Sequence, residues 1–193
     1  MSNQVTLVGC ISSDFTYDHE ILGEKFFKTY VTVKRTSGTN DKIPVLISER
    51  IINVKSNYIG QYVHIEGQFR SYNKHYEDKT RLLLYVFAFN VELLNVQAHV
   101  NDLLLEGTLC KQPVYRMTPQ GREIADIMLA VSKGYGKSDY IPCIAWGRNA
   151  NYAAGMDTGT KVRLTGRVQS REYNKNGEIK TAYEASVILL EAI

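Results

Sequence analysis

Asn3–Ile11 reads NQVTLVGCI and Asn101–Leu109 reads NDLLLEGTL. In the first stretch Val5, Leu7, Gly9 and Ile11 alternate with polar or small residues, and in the second Leu103, Leu105, Gly107 and Leu109 do the same. This is the period-two signature of a strand buried on one face. The two stretches lie 98 residues apart, and that shift superposes Asn3–Arg50 on Asn101–Arg148 without a gap. Identical pairs include Asn3/Asn101, Gly9/Gly107, Asp41/Asp139, Pro44/Pro142 and Arg50/Arg148. After a one-residue slip the match resumes through Gly60/Gly159, Gly67/Gly166 and Ser71/Ser170. The chain is therefore two copies of one module, residues 1–96 and 97–193, joined by Asn95–Val100, a connector with neither Gly nor Ser.

Within each copy the alternation continues outward. Phe26–Arg35 and Ile124–Lys133 read as a second strand, and Ile43–Ile47 and Ile141–Trp146 as a third. Alternation then lapses over Arg50–Tyr58 and Arg148–Ala154, where one short helix per module is expected, the second stopped by Gly155. Val63, Ile65, Gly67 and Phe69, with Val162, Leu164, Gly166 and Val168, begin a fourth strand. Tyr76–Lys79 and Asn174–Gly177 turn it into a fifth. Five strands with a helix between the third and fourth, in about 95 residues, is the plan of a five-stranded Greek-key barrel of the OB type. The expectation is an all-β chain of two tandem OB-fold barrels.

Composition narrows the function classes. The 193 residues are 44% hydrophobic and 22% charged, with net charge +3, which excludes a disordered polyelectrolyte but allows a local basic groove. No apolar run approaches a membrane span, and Met1-Ser2-Asn3-Gln4 opens no basic-then-apolar signal segment, so no membrane partner and a cytoplasmic, nucleoid-associated location are expected. Cys10, Cys110 and Cys143 form no CxxC pair, and His19, His64, His75 and His99 have no metal-ligand spacing. Gly134–Ser138 fails as a phosphate loop, because the first Gly of that motif would fall at Val131. No metal, no cofactor and no enzymatic activity are expected.

Strand parity in the second module is more informative. If Val162, Leu164, Gly166 and Val168 point inward, Arg163, Arg167, Arg171 and Tyr173 share the opposite face. On the third strand Tyr140, Pro142, Ile144 and Trp146 oppose the inward Ile141, Cys143 and Ala145. Tyr135 sits in a Gly-flanked loop between Lys133 and Lys137. Cations along a groove with flat rings beside them suit single-stranded nucleic acid, whose phosphates take the charge and whose bases stack at about 1–3 kcal/mol each. The same residues also fit plainer roles: Trp146 in a core or interface, Tyr140 and Tyr173 over a strand edge, and the arginines paired to Glu172 or Glu178.

The second module resembles the bacterial single-stranded DNA-binding protein family. The likeness runs through NDLLLEGTL, QPVYRMTPQG (Gln112–Gly121), IADIMLAVSK (Ile124–Lys133), YIPCIAWGRN (Tyr140–Asn149) and GTKVRLTGRVQSREY (Gly159–Tyr173). It implies base stacking at Tyr135, Tyr140, Trp146 and Tyr173, and phosphate contacts from Arg116, Lys133 and Arg148. The corresponding stacking places in the first module are Ser37, Lys42, Ser48 and Lys74. That module retains Lys34, Arg35, Lys42, Tyr72, Lys74 and Tyr76, which implies either a weaker, electrostatic secondary site or a module used mainly for assembly. Family members with one barrel per chain assemble four, so a homodimer is expected here. The sequence given ends at Leu189–Ile193, directly after the last strand, so recruitment of partners through a flexible acidic tail is not expected. The function implied is sequence-tolerant coating of single-stranded DNA in replication, recombination or repair. The alternatives are an assembly protein of a replication-restart or conjugative complex, and an RNA-binding OB protein.

Overall fold

The computed structural model describes residues 2–193. The first module contributes β1 (Asn3–Ile11), β2 (Thr16–Ile21), β3 (Glu24–Lys34), β4 (Asn40–Ser48), β5 (Tyr62–His75) and β6 (Thr80–Leu94). The second contributes β7 (Val100–Leu109), β8 (Val114–Met117), β9 (Glu123–Gly134), β10 (Lys137–Trp146), α1 (Arg148–Ala154), β11 (Lys161–Lys175) and β12 (Glu178–Ala192). In module one β1 pairs with β3, β3 with β4, β4 in parallel with β6, β6 with β5, and β5 back with β1. That circuit closes a five-stranded barrel in the OB order. Module two repeats it through β7, β9, β10, β12 and β11. The chain is all-β apart from α1, and the tandem OB expectation holds.

The glycines repeated between the modules explain how the barrels close. β1 pairs with β5 and β3 at once, and a Cβ on Gly9 would strike the Thr32 carbonyl; Gly107 faces the Ala130 carbonyl in the same way. Gly67 and Gly166 sit at register shifts in β5 and β11, against the Phe87 and Ser186 carbonyls. A side chain there would force the crossing strands apart. Beyond the β1–β5 ladder, the buried Asn3 side chain donates to the Phe69 carbonyl (2.7 Å) and accepts from the Phe69 N–H (2.9 Å). Asn101 does the same for Val168 at 2.7 and 2.9 Å. Inside each barrel the alternating residues form the core, with Leu7, Ile65 and Phe69 fully buried in module one and Leu105, Leu129 and Leu164 in module two.

Two features depart from the sequence reading. The helix expected over residues 50–58 is absent, and turns occupy that stretch. Asn53 and Asn57 side chains accept from the backbone N–H groups of Lys55 and Ile59, two residues on, at 3.2 and 2.9 Å. Such local bonds compete with helix, and β-branched Ile51, Ile52 and Val54 disfavour it, whereas Ala150, Ala153 and Ala154 support α1. The second departure is an added hairpin arm in each module, β2 on β3 and β8 on β9. These short strands are exposed along nearly their whole length, so they lack the buried alternation that reveals a strand.

The modules are joined by more than the connector. β1 and β7 pair antiparallel from Asn3↔Leu105 to Val8↔Val100, making one twelve-stranded sheet. The ladder is centred on Val5↔Leu103, a pair related by the repeat itself, so the modules are arranged about a pseudo-twofold axis. The same symmetry recurs at their flanks. Asp139 accepts from the Ser71 N–H at 2.9 Å, and Asp41 accepts from the Ser170 N–H at 2.9 Å. The Ser71 hydroxyl accepts from the Tyr140 N–H (2.8 Å), and the Ser170 hydroxyl from the Lys42 N–H (2.9 Å). Both aspartates are buried and bonded to a cation of their own module, Lys133 Nζ at 3.0 Å and Arg35 Nε at 2.7 Å. These identical pairs of the repeat therefore hold the two barrels in a reciprocal embrace.

Candidate nucleic-acid interface

The structure scatters the sequence-derived candidates along one module and then across the junction. Tyr135 stands at the tip of the β9–β10 hairpin and is fully exposed, at 101%. Its turn is Tyr135-Gly136, with φ of 52° and 68°, as a two-residue hairpin of type I′ requires. The β11–β12 hairpin uses Asn176-Gly177 with φ of 55° and 83°. Asn is the residue that such a position favours, whereas a bulky side chain in the left-handed region is strained by about 1–2 kcal/mol. Strain held at an exposed ring points to a use for the ring. Lys137, exposed, flanks it, while Lys133 leans back to Asp139.

Tyr140, 45% exposed, lies where its backbone is bound to Ser71 of the other module. Tyr173, 37% exposed, stands near the tip of β11 with the Arg171 guanidinium 6.0 Å from its ring centroid. Trp146 closes β10, half-buried. Ile144, on the same parity, is buried. The cations differ more. Arg148 is exposed at the first turn of α1. Arg116 is engaged by Asp126 (2.6 Å) on the β8–β9 arm, and Arg163 by Glu106 (2.7 Å) across β7. Arg171 pairs with Glu184 at 3.2 Å. Gln169, of the same parity as the arginines, is buried, donating to Glu184 at 2.9 Å.

Between the modules lies an open cleft of about 920 Å³. One wall is the β3–β4 loop and the start of β4 in module one, with Arg35, Ser37 and Lys42; the other is β11 and β12 of module two, with Arg167, Arg171 and Tyr183. Trp146 and Arg122 complete it. Five of the lining residues are cations, and Glu172 is the one acid among them. Burial and the nearby Arg35 lower the pKa of Arg167, while the hydrogen bond to Asp41 raises that of Arg35. The cleft gathers Arg167, Arg171 and Trp146 with two residues of the secondary site, Arg35 and Lys42. It leaves out Arg163, Arg116 and Arg148. Arg122 and Tyr183 were not among the sequence-derived candidates; Arg122 follows the Gly121 of a turn and Tyr183 falls within a half-buried strand, so neither carried a local signal.

The remaining first-module candidates stay apart from the cleft. Lys34 donates its backbone N–H to His99 (3.2 Å), and Tyr72, exposed, precedes a hairpin where Lys74 Nζ lies 5.5 Å from the Tyr76 ring centroid. Among the described residues no three His, Cys, Asp or Glu side chains group to hold a metal, and no helix is long and apolar enough to cross a membrane.

Two barrels that share a sheet define the class of tandem OB-fold proteins, and rings on one barrel with a cationic cleft between the two have the chemistry that a single-stranded nucleic acid requires. Comparison with known proteins specifies it. The single-strand binding protein family matches residues 100–191. Single-stranded DNA-binding protein A of Bacillus subtilis (strain 168) is 36% identical over 87 residues, which covers 41% of this chain and 51% of that protein. Single-stranded DNA-binding protein 1 of Lactococcus lactis is 33% identical over 87 residues, covering 41% and 58% respectively. This chain thus spans between half and three-fifths of the length of these relatives. The wild-type single-stranded DNA binding protein of Thermus aquaticus has the same fold, with TM-score 0.82 and 19% identity over 99% of this chain and 92% of that one. The likeness to the single-strand binding protein family thus lies in the second module, and the likeness in fold extends over both.

Proposed function

We propose that the chain binds single-stranded DNA without sequence preference and covers strands exposed during replication, recombination or repair. The observation that carries this reading is the set of accessible rings on the second module, Tyr135, Tyr140 and Tyr173, leading to Trp146 at the edge of the cationic cleft. Rings accept any base on their faces, and the cations take the backbone, so affinity needs no base-edge contacts. The chemistry is binding alone, with no covalent step. The first module, from residue 1 to 96, lacks the ring set and contributes charge and junction contacts. Two chains together supply four barrels, the number that the family resemblance implies, and a homodimer in the cytoplasm is the working form.

Competition among equal lengths of oligo-dT, oligo-U and duplex DNA tests the proposal. Oligo-dT should displace a labelled single strand most effectively, and duplex least, because paired bases hide their faces. Equal or stronger competition by oligo-U would assign the barrel to RNA. Binding to none of the three would leave the assembly role.

A further inference from the structure

The twelve-stranded sheet ends in two free edges, β2 in module one and β8 in module two, each with one hydrogen-bonded neighbour among the described residues. The repeat makes them equivalent arms, and the pseudo-twofold axis sets them on opposite sides of the chain. A strand edge with unpaired N–H and C=O groups adds another strand readily, and proteins commonly guard it with charge. Here the guards have opposite signs. Asp18 stands at the place of Arg116, and Glu24 at that of Arg122. Over the equivalent segments 13–28 and 111–126 the first arm has four carboxylates against two lysines, and the second three cations against two carboxylates. Glu24 is held by Arg50 at 3.3 Å and Arg122 lines the cleft, so the charges on the edge strands themselves are Asp18 and Glu20 on β2 and Arg116 on β8. Asp18 touches His19, and Arg116 touches Asp126, both at 2.6 Å, yet the two side chains stay 45% and 50% exposed.

Around these charges the arms are apolar. Tyr17 and Ile21 of β2, and Val114 and Met117 of β8, are each more than half exposed. Leu22, at the tip of the β2–β3 hairpin, lies wholly in water with φ of 51°, a left-handed conformation that strains a residue with a Cβ. The equivalent place in module two holds Gln120, whose backbone is not left-handed. An apolar side chain kept in water at a strained position gives the free chain nothing, which points to a contact made by this tip.

We propose that β2 of one chain adds to β8 of a second copy, so that chains lying along one DNA strand join head to tail through their sheet edges. The inference rests on the single-stranded DNA reading above and adds to it a partner, another copy of this chain. Charge selects the pairing. β2 against β2 sets Asp18 and Glu20 against carboxylates, and β8 against β8 sets Arg116 against a guanidinium, whereas β2 against β8 brings opposite signs together. The contact is heterologous: each joined chain keeps a free edge of the other kind on its far side, so the series stays open. In the joined pair Leu22 leaves water against the apolar side chains of β8.

Cross-linking of full-length chains on DNA tests it. Two preparations, Thr16→Cys and Met117→Cys, each with Cys10→Ser and Cys110→Ser, are loaded on poly-dT long enough for many chains and treated with a bifunctional thiol reagent; Cys143 is buried. Mixed, they should give a linked pair with one chain of each kind, and neither preparation should link to itself. Adding Leu22→Asn to the Thr16→Cys chain should lower the mixed yield about tenfold, through the lost apolar contact. Asp18→Arg should lower it about fivefold. Both added changes should leave unaltered the affinity for oligo-dT of about 16 nucleotides, the span of one OB fold. Leu22→Asn should melt no lower than its parent, because Asn tolerates the turn. Failure of wild-type protein to bind the short oligo-dT would overturn the function itself. Binding without a mixed cross-link, cross-links as abundant within either preparation alone, or a mixed yield that Leu22→Asn and Asp18→Arg both leave unchanged would overturn the edge contact alone.

Discussion

Replacing Tyr135 by Asn should move stability and binding in opposite directions. Tyr135 occupies the first central position of a type I′ turn with φ of 52°, and its side chain is fully exposed, so the ring contributes no packing to the free protein. Asn tolerates this backbone conformation, as Asn176 shows in the neighbouring hairpin of the same module. Relief of the left-handed strain should add about 1 kcal/mol to stability. For a chain of this size that raises the melting temperature by about 2–4 °C. Loss of the ring should cost about 1–3 kcal/mol of binding to oligo-dT, or roughly a 5- to 150-fold rise in Kd. Differential scanning calorimetry and a fluorescence titration at one fixed salt concentration supply the two readings. A variant that melts lower, or one that binds as tightly as wild type, would refute the claim that Tyr135 is held under strain for stacking.

Further consequences follow from the junction and the barrels. Asp139→Asn removes the charge from a buried carboxylate bonded to Lys133 and Ser71; because Lys133 can rehydrate, the cost should be about 2 kcal/mol, and urea unfolding that shows less than about 0.5 would remove Asp139 from the embrace. Gly107→Ala drives a methyl group onto the Ala130 carbonyl and should cost about 1–3 kcal/mol in the same assay, with a neutral result contradicting the close crossing of β7 and β9. Burial pushes the Cys143 thiol far above its ordinary range, so native protein at pH 8 should label at Cys10 well before Cys143, and equal rates detected by peptide mapping would contradict a closed second barrel.

Much of the fold was legible because each module is written twice. Gly9/Gly107 and Gly67/Gly166 stood out as repeated glycines in strands, and the structure gives them one cause, carbonyl oxygens where a Cβ would be. Burial on the inward parity of β11 follows the alternation from Val162 to Val168. The parts that stayed hidden depend on contacts the local pattern does not contain. The hairpin arms are exposed on both faces, and the stretch 50–58 lacks periodicity of either kind, leaving Asn side chains to choose turns over helix. The cleft was hidden for a different reason, since Lys42 and Ser170 meet only through the packing of one repeat against the other. A signal did exist. Asp41/Asp139 and Ser71/Ser170 are identical polar pairs in strands that otherwise bury apolar groups, and they are the residues that bridge the modules.

The single tryptophan provides the most direct test of the account. Trp146 lines the cationic cleft at the end of the third barrel strand of module two, so a strand that stacks there and lies along the arginines should quench its fluorescence. Titrating oligo-dT into the protein at several salt concentrations should give saturable quenching whose log K falls linearly with log salt, at a slope of about −0.7 for each phosphate neutralised. Quenching that is absent, or an affinity that does not change with salt, would contradict single-stranded DNA binding at this cleft.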